Sequence, residues 1–335
     1  MNILITGGAG FIGYHLAAHH AARGDAVILL DNLRKTDGVA DADFQQLLAQ
    51  TSVRFIPHDL TQPCPVSLAL PDTLDVVYHL AAINGTQLFY DIPYDVARTN
   101  LLLTLNLLEW LRAHRVGRLI YSSTSEVYAG AETYRLLPIP TDERVPVVFP
   151  QPTDRRFSYG TSKFMGEVLC ATFCQQPTTR IPWTILRYHN IYGPRMGHRH
   201  VIPEFIARAQ RKEQPFDIFG GHETRAFCYI ADAIEATFRV ATTPACHGEI
   251  VHIGNATEEI RIAQLATLVM SLLGHRADLR ERGSRSGSVS RRCPSTEKLK
   301  SLTGFVPTVN LRDGLSRTID WYVMASTTPH AVTSS

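Results

Sequence analysis

The stretch NILITGGAGFIG, at residues 2–13, joins a short apolar segment to a glycine-rich turn and to the beginning of a helix. The apolar segment at residues 2–6 predicts a buried strand, because it is short, continuous and followed at once by glycine. A turn without Cβ atoms lets backbone N–H groups and the helix N-terminus approach a pyrophosphate. The stretch therefore predicts the first βαβ unit of a dinucleotide-binding fold. The residues that we assign to this cofactor contact are Gly7, Gly10, Phe11, Ile12 and Gly13.

An acidic residue, Asp31, follows the second predicted strand at residues 26–30. A carboxylate at this place accepts hydrogen bonds from an adenosine ribose and repels a 2′-phosphate, so it favours NAD over NADP. We add the adjacent Asn32 to the cofactor contacts, and we expect Asp59 and Leu60, after the third predicted strand, to face adenine. NAD is therefore the predicted cofactor.

Apolar segments alternate with helix-like segments through the first half of the chain. The predicted strands lie at residues 2–6, 26–30, 53–57, 76–81, 118–122 and 183–188, with a last strand at 250–253. The predicted helices cover residues 14–23, 96–114 and 158–173. Continuous apolar strands that alternate with helices predict a parallel sheet covered on both faces. The predicted fold class is therefore α/β, a Rossmann-type doubly wound parallel sheet with a smaller C-terminal substrate-binding lobe.

The pattern changes after about residue 190, where Gly, Pro, Arg and His cluster. We divide the chain into an NAD-binding domain at residues 1–190, with returning segments near 226–255, and a region at 191–325 that forms mainly the substrate lobe. The small and polar residues at 326–335 predict a loose tail.

The composition is that of a globular protein: 335 residues, of which 44% are hydrophobic, and a formal net charge of +2. This charge balance offers no basic surface for nucleic acid or for an anionic membrane. The apolar runs fall short of the roughly 20 residues that a membrane span needs. The N-terminus lacks the features of an export signal, so we expect a cytoplasmic protein whose six cysteines are reduced.

Several histidines and cysteines stand close together in the sequence. His189, His198 and His200 have no Cys or acidic cluster to complete a ligand set, so we expect no metal site. Cys170 and Cys174 have a helical spacing and are expected to be small core residues. His19 and His20 fall on the outer half of the first helix, where we expect them to be solvated.

Tyr159 and Lys163 lie four residues apart, so on a helix their side chains point in the same direction. A nearby ammonium lowers the pKa of a phenol, and a phenolate can remove a proton from a hydroxyl while hydride leaves to NAD. The polar run Ser122 to Glu126 follows a predicted strand and so lies at the C-terminal edge of the sheet, where ligands bind in open α/β folds. The two segments together predict oxidation of a substrate hydroxyl at that edge.

Further motifs follow the glycine-rich turn in a fixed order. They are HLAA at 79–82, SSTSEVY at 122–128, YGTSK at 159–163, RYHNIYGPR at 187–195, VIPEF at 201–205 and TRAFCYI at 224–230. In this order they resemble the extended short-chain dehydrogenase/reductases that act on nucleotide sugars. The resemblance extends over almost the whole chain.

The resemblance implies that a retained NAD oxidises the C4 hydroxyl of a nucleoside-diphosphate sugar, a UDP-sugar being favoured. It makes Tyr159 the base, gives Lys163 the roles of lowering the pKa of Tyr159 and binding the nicotinamide ribose, and places Thr124 near the sugar O4. The further cofactor contacts that it implies are Leu80, Ala81, Ala82, Asn100 and Ser122, of which Asn100 is also a structural and relay residue. The substrate contacts that it implies are Ser125, Arg156, Asn190, Val201, Arg225 and Arg292.

The sequence Thr124 to Glu126 resembles that of two groups, the GDP-mannose 4,6-dehydratases and the UDP-glucuronate decarboxylases. Asp31 argues against the first group, which typically takes NADP. A guanidinium from Arg156, three residues before the catalytic tyrosine, suits a C6 carboxylate. Arg292 lies in a segment that resembles the Arg-Lys-Pro segment whose Arg is catalytic in those decarboxylases, although diphosphate binding is an equal alternative for it. With Glu126 and Arg292 as catalytic residues, UDP-glucuronate decarboxylase is the predicted activity.

Other functions stay open because the sequence departs from the family pattern. Ala129 stands where Gly is usual, His189 stands where Phe is common, and the segment at residues 129–155 is long and charged. The alternatives are a nucleotide-sugar 4-epimerase of the UDP-glucuronate or UDP-glucose type, then a 4,6-dehydratase. An NAD-binding scaffold or sensor without activity is the non-enzymatic alternative, against which the presence of Thr124, Tyr159 and Lys163 argues.

The two long helices at residues 96–114 and 158–173 normally form a four-helix dimer interface in the family that the chain resembles. An apolar stripe on the first of them is compatible with this interface, although the same stripe would equally face the protein's own sheet. The stripe consists of Leu101, Leu105, Leu108 and Leu111. We therefore expect a homodimer.

Overall fold

The computed structural model describes residues 1–34, 41–65, 68, 70–149, 151–284 and 289–327. Its strands are β1 (Asn2–Thr6), β2 (Ala26–Asp31), β3 (Val53–Pro57), β4 (Thr73–Leu74), β5 (Val76–His79), β6 (Arg115–Val116), β7 (Leu119–Thr124), β8 (Trp183–Tyr188), β9 (Ile191–Tyr192), β10 (Phe216–Phe219), β11 (Thr224–Ala226), β12 (Cys228–Tyr229), β13 (Glu249–Ile253), β14 (Glu259–Arg261), β15 (Leu279–Arg282) and β16 (Arg291–Arg292). Its α-helices are α1 (Phe11–Ala22), α2 (Ala42–Leu48), α3 (Thr86–Asp91), α4 (Pro93–Leu111), α5 (Ala129–Thr133), α6 (Ser158–Cys174), α7 (Val201–Gln210), α8 (Ile230–Thr242), α9 (Ile262–Leu272), α10 (Glu297–Thr303) and α11 (Leu311–Thr327).

The centre of the molecule is a seven-stranded sheet in the order β13-β8-β7-β5-β1-β2-β3, and each neighbouring pair of strands is parallel. Its strands are buried on both faces because helices cover both sides, which is why their sequences are continuously apolar. The α/β doubly wound fold is confirmed. The strand order changes direction between β1 and β5, and ligands of such sheets bind beyond the strand ends at this switch point.

Three strands end at other residues than predicted. β2 ends one residue later, at Asp31, and the differences in β7 and β5 matter at this edge. β7 continues to Thr124, so the polar residues 122–124 are the end of a strand and not the loop that follows it. β5 ends at His79, so residues 80–82 are loop next to the glycine-rich turn. The ring nitrogens of His79 lie 2.7 Å from the Thr6 hydroxyl and 3.1 Å from the Thr104 hydroxyl. Because Thr104 belongs to α4, these contacts connect the end of β5 to that helix.

The second half of the chain contributes to the main sheet and also forms smaller sheets. β13 pairs with β8, and α8 packs against α1, so both elements contact the first half of the chain. The smaller sheets combine β10 with β15 and β14 with β11 and β16. The last helix continues to Thr327, so the first two residues of the predicted loose tail are helical. Residues 328–335 lie outside the described part of the chain.

The prediction for His20 is wrong. His20 is fully buried, and its ring nitrogens lie 2.7 Å from an Asp25 carboxylate oxygen and 3.1 Å from the Tyr78 hydroxyl. It faces the sheet because it falls on the same side of α1 as Leu16 and Ala17. The six cysteines are free thiols, and Cys170 and Cys174 are buried in the core as predicted.

Within the described residues no helix combines the length and the apolar character needed to cross a membrane. The same part of the chain holds no group of three or more His, Cys, Asp or Glu side chains that could bind a metal ion.

Candidate active site

The glycine-rich turn is a cradle that side chains would fill. Gly7 has a φ of +72°, and a Cβ there would lie 2.7 Å from the backbone nitrogen of Ala81. A Cβ on Gly13 would lie 2.2 Å from the carbonyl oxygen of Gly7. Glycine is therefore required at both positions, and Phe11, Ile12 and Gly13 form the first turn of α1. A close turn at a helix N-terminus is the arrangement that binds a pyrophosphate through backbone N–H groups.

The loop after β5 lies beside this cradle. The backbone nitrogen of Leu80 donates to Thr6 at 3.1 Å, and that of Ala81 donates to the Thr6 hydroxyl at 3.3 Å. Ala82 follows them and is partly exposed. The structure thus brings together the glycine-rich turn and residues 80–82, which are far apart in the sequence.

Asp31 is tied to the same turn. One carboxylate oxygen accepts from the backbone nitrogen of Ala9 at 3.1 Å, and the other accepts from that of Leu33 at 2.8 Å. Both bonds fix the carboxylate at the end of β2, where it can meet the ribose of a dinucleotide. Asn32 hydrogen-bonds to Asp59 and helps to lower the pKa of that carboxyl, which burial alone would raise.

Asp59 and Leu60 do not act as a pair. Asp59 is exposed, whereas the Leu60 side chain is 2% exposed and packs in the core. Because the Leu60 side chain is buried under α4, only the backbone of Leu60 could contact adenine, and this contact stays a prediction. The carbonyl oxygen of Leu60 accepts a hydrogen bond of 2.7 Å from Asn106 of that helix.

Asn100 joins two parts of the site. Its amide oxygen accepts from the backbone nitrogen of Ile83 at 2.8 Å, and its amide nitrogen donates to the Ser162 hydroxyl at 3.1 Å. It therefore holds the loop after β5 against α6, which carries Tyr159 and Lys163. These contacts are the structural part of the role expected for it.

Tyr159 is buried and stacks on Phe89, with ring centroids 4.8 Å apart and planes 6° from parallel. Burial raises the pKa of Tyr159, the negative charge of Glu126 raises it further, and hydrogen bonds with Thr124 and Asn84 lower it. The sequence did not single out Phe89 or Asn84, since they lie in the loop and short helix after β5 and carry no motif of their own.

The ammonium of Lys163 lies 4.4 Å from the centre of the Tyr121 ring. The expected effect of Lys163 on the pKa of Tyr159 stays a prediction. Burial lowers the pKa of Lys163 to about 8, although the charge of Glu167 opposes this. The helical spacing places both side chains on one face of α6, but Lys163 is directed to β7.

The end of β7 is held by a buried polar network. Ser123 donates to Glu167, and Glu167 forms an ion pair of 2.6 Å with Arg187, which is 3% exposed. Arg187 also donates to the Tyr128 hydroxyl at 2.5 Å. Because a buried pair with several hydrogen bonds is rigid, this network fixes the strand end on which the neighbouring Ser122 stands.

The turn after β7 presents Glu126. The Thr124 hydroxyl accepts from the backbone nitrogen of Glu126 at 3.2 Å and so caps a 3-10 turn at residues 125–128, in which Ser125 is buried. A second 3-10 turn, at residues 155–157, brings Arg156 to the same place. Here Asp154 caps the turn by accepting from the backbone nitrogen of Arg156 at 3.0 Å.

Glu126 lies between two arginines. Arg156 donates from Nη2 to one carboxylate oxygen at 2.5 Å, and Arg292 donates from Nη1 to the other at 2.7 Å. Burial alone would raise the pKa of Glu126, but Arg292 and Arg156 outweigh it and lower this pKa to about 2. The cluster is therefore a carboxylate held by two guanidinium groups in a largely dehydrated site.

Arg292 reaches this cluster through a strand pairing. β16 pairs with β11 in parallel, and in this register Arg292 lies opposite Arg225. Arg225 is part of a three-stranded sheet, and its guanidinium donates to Glu223 at 3.0 Å. Burial and the charge of Arg292 lower the pKa of Arg225 to about 10.

The remaining predicted substrate contacts lie at the border of the smaller sheets. Asn190 has a φ of +43°, and its amide donates to the carbonyl oxygen of Ala226 at 3.0 Å, next to Arg225. Val201 is the first residue of α7 and is partly buried. Asn190 thus joins the arginine-bearing strand β11, and Val201 packs against the core.

Glu132 is a further carboxyl of the site. Together with Tyr90, Asp154 and Arg156 it lines a cleft of about 360 Å³. Its carboxylate accepts from the backbone nitrogen of Ser290 at 2.7 Å, and burial raises its pKa although the charge of Arg292 opposes this. The sequence analysis did not name Glu132. The feature that could have indicated it is its position directly after the SSTSEVY motif, within the segment that departs from the family pattern.

Comparison with known proteins agrees with this arrangement. The model of the NAD dependent epimerase/dehydratase family matches residues 3–254. The chain is 32% identical to a UDP-N-acetyl-alpha-D-glucosaminuronate decarboxylase of Bacillus cytotoxicus, over 95% of this chain and 97% of the relative. It is 31% identical to UDP-glucuronic acid decarboxylase 1 of Xenopus tropicalis, over 96% of this chain and 72% of the relative.

Among solved structures, the chain is similar to UDP-glucuronic acid 4-epimerase from Bacillus cereus, which was crystallised in complex with UDP-glucuronic acid and NAD. The TM-score is 0.86 at 29% identity, and the match covers 97% of this chain and 100% of the other. The family match, the two similar sequences and the glycine cradle lead to one conclusion. The chain belongs to the NAD-dependent epimerase/dehydratase family and is an enzyme with NAD as its cofactor.

Proposed function

We propose that the protein is a UDP-glucuronate decarboxylase, which oxidises the sugar C4 hydroxyl and then releases the C6 carboxylate as CO₂. The observation that carries this proposal is the position of Glu126 between Arg156 and Arg292, next to Thr124. Two guanidinium groups at the sugar site are the partners that a sugar carboxylate requires. Two of the similar proteins are named as decarboxylases of uronic-acid nucleotide sugars, which agrees with this reading.

NAD fits the residues at the strand ends. The turn at Gly7 to Gly13 would hold the pyrophosphate, Asp31 the adenosine ribose, and Lys163 the nicotinamide ribose. When bound there, NAD would be the hydride acceptor of the reaction. The remaining chemistry belongs to side chains of the chain itself.

Tyr159 acts as the base for the C4 hydroxyl. Its phenolate takes the hydroxyl proton as the C4 hydrogen leaves with its electron pair, so a ketone forms at C4. The hydrogen bonds of Thr124 and Asn84 oppose the effects of burial and of Glu126 on the pKa of Tyr159. They offset part of this effect, but burial and Glu126 keep the pKa of Tyr159 above its ordinary value.

Arg156 and Arg292 bind the carboxylate of the sugar, and Glu126 is the group with which that carboxylate competes. Once C4 is a ketone, the bond between C5 and the carboxylate carbon can break, since its electron pair is taken up as an enolate. CO₂ leaves without charge, and the guanidinium groups return to Glu126. The enolate then takes a proton at C5 from water. Tyr159 returns its proton to O4 as C4 regains the hydride, so the product differs from the substrate by CO₂ alone.

A 4-epimerase that acts on UDP-glucuronate is the second candidate. It is favoured by the TM-score of 0.86 with a structure named as such an enzyme. Two arginines serve it equally well for recognition, because a carboxylate can be bound without being lost. The diphosphate role of Arg292 belongs to this alternative and is supported by its position opposite Arg225.

The test is to incubate the purified protein with NAD and a panel of UDP-, GDP- and dTDP-sugars, and to follow the mass of each product. The proposal requires UDP-glucuronate to lose the mass of CO₂. An unchanged mass together with a new sugar spectrum by NMR identifies the epimerase, and loss of water identifies a dehydratase.

We further propose that the protein is a homodimer through α4 and α6. The stripe expected on α4 is divided, because Leu108 and Leu111 are buried in the protein's own core whereas Leu105 is 41% exposed. Met165 and Val168 of α6 are also exposed, and α6 packs directly on α4. Exposed apolar side chains on two adjacent helices suit a second copy of the same pair.

A further inference from the structure

Two buried histidines lie side by side behind the Glu126 cluster, and they differ in their hydrogen bonds. The ring centroids of His189 and His252 are 4.5 Å apart, and both residues are at most 1% exposed. His252 is fully paired, since its nitrogens lie 2.8 Å from the Tyr128 hydroxyl and 3.2 Å from the Ser295 carbonyl oxygen. Among the described residues, neither ring nitrogen of His189 has a hydrogen-bond partner.

An unpaired and buried imidazole is costly in a folded protein. A polar group that leaves water without a new partner destabilises the fold, and native structures keep few such groups. A phenyl ring at residue 189 would fill nearly the same space without this cost. This cost therefore indicates that the His189 ring has a hydrogen-bond partner during the catalytic cycle.

His189 lines a small cavity of about 10 Å³, which has room for one group of the size of a water molecule. Ser125, Glu132, Thr141 and Arg292 are among the other lining residues. Because Arg292 also pairs with Glu126, this cavity is an extension of the proposed sugar site.

The charge state of His189 selects the kind of group that can enter. Burial lowers the pKa of His189, and the charges of His252, Arg292 and Arg187 lower it further, so its ring is neutral. A neutral imidazole can pair with a hydroxyl whichever nitrogen carries the proton, because a hydroxyl both donates and accepts. A carboxylate only accepts, and it is matched by the arginines instead.

We propose that His189 is a sugar-recognition residue, whose ring forms a hydrogen bond with one hydroxyl group of the sugar in the cavity next to Arg292. This proposal rests on the proposed function for the identity of its ligand, and it deepens that function by naming a specificity-determining residue. A water molecule that stays in the cavity is the competing occupant.

The test compares His189→Phe with the matched control His252→Phe in the full-length protein with NAD bound. All proteins compared carry Tyr159→Phe, so that UDP-glucuronate is bound without being turned over. Dissociation constants for UDP-glucuronate and for UDP are measured by calorimetry, and melting temperatures are measured without either nucleotide. We expect His189→Phe to weaken UDP-glucuronate binding about five- to tenfold, the size of one lost hydrogen bond, and to leave UDP binding unchanged. We also expect it to melt about 2 °C higher, because an unpaired buried group is removed.

The control is expected to behave in the opposite way. His252→Phe leaves the Tyr128 hydroxyl and the Ser295 carbonyl without their partner, so it should melt lower and keep the wild-type ratio of the two dissociation constants. If His189→Phe also keeps this ratio, the cavity holds only water and the proposal is overturned.

The outcome is separable from that of the proposed function. A wild-type protein that releases no CO₂ but loses its preference for UDP-glucuronate over UDP in His189→Phe contradicts the decarboxylase and supports His189. A wild-type protein that releases CO₂ while His189→Phe binds both ligands normally supports the decarboxylase and contradicts the proposed role of His189.

Discussion

Arg292 donates a hydrogen bond of 2.7 Å from Nη1 to Oε1 of Glu126, across 166 residues of sequence. The bond joins the strand end of the cofactor-binding sheet to the three-stranded sheet of the second half of the chain. In the proposed function, the carboxylate of the sugar must displace Glu126 from this guanidinium or share it. The pair therefore links the two parts of the chain to which we assign the cofactor and the sugar.

Removal of the Arg292 charge should abolish most of the activity. We expect Arg292→Gln to lower kcat/KM for UDP-glucuronate about 100-fold or more, since a preorganised charge at the reacting group is lost. The neighbouring Arg291 is the matched control, because its guanidinium pairs with Glu259 and is 52% exposed. Arg291→Gln should stay within about twofold of the wild type. Equal losses in the two variants would show that the effect is structural.

The stability of the protein should depend on Glu126 in acid. Its folded-state pKa of about 2 lies below the ordinary value of 4.5, so the native state binds fewer protons than the unfolded state. The stabilisation is therefore complete above about pH 5 and is lost as the pH falls from 4.5 towards 2. Urea unfolding of the wild type and of Glu126→Gln should show a free-energy difference that shrinks on acidification. A difference that does not change with pH argues against this ion-pair cluster.

Loss of the Tyr159 hydroxyl should separate chemistry from cofactor binding. We expect Tyr159→Phe to lower kcat by about 1,000-fold, as is typical when a general base is removed, and to retain NAD. The stack on Phe89 persists in this variant because the ring remains. Tyr94→Phe is the control, since Tyr94 is 74% exposed. Unchanged turnover in Tyr159→Phe would favour the NAD-binding scaffold or sensor.

The preference for NAD should depend on Asp31. We expect Asp31→Asn to weaken NAD binding about tenfold and to reduce the discrimination against NADP, because the charge that repels a 2′-phosphate is removed. Fluorescence titration of NAD-free protein with each dinucleotide measures both effects. Asp72→Asn, at an exposed carboxyl, should change neither affinity. An Asp31 variant with the wild-type ratio of affinities contradicts the assignment of this carboxylate to the ribose.

The dimer should separate when charge is placed on the exposed face of α4 and α6. We expect the wild type to have the mass of two chains by light scattering, and the double variant Leu105→Glu, Met165→Glu to have the mass of one. Val306→Glu, at another exposed apolar side chain, should leave the mass unchanged. A wild-type mass of one chain removes the proposal.

The sheet was predictable because its strands are buried on both faces and therefore apolar throughout. The site was predictable only in part. The motif order identified the residues on the strand ends, but the meeting of Glu126 with Arg292 depends on the pairing of β16 with β11, which leaves no periodic signal. Side-chain direction was also hidden, since the spacing of Tyr159 and Lys163 gives a shared helix face and not the turn of Lys163 towards Tyr121.

The most direct measurement uses UDP-glucuronate labelled with ¹³C in its carboxyl group, incubated with the protein and NAD. We expect that the label appears as ¹³CO₂ and that the nucleotide-sugar product has lost the carboxyl carbon. Complete retention of the label in the nucleotide sugar, whether epimerised or unchanged, would contradict the proposed decarboxylase.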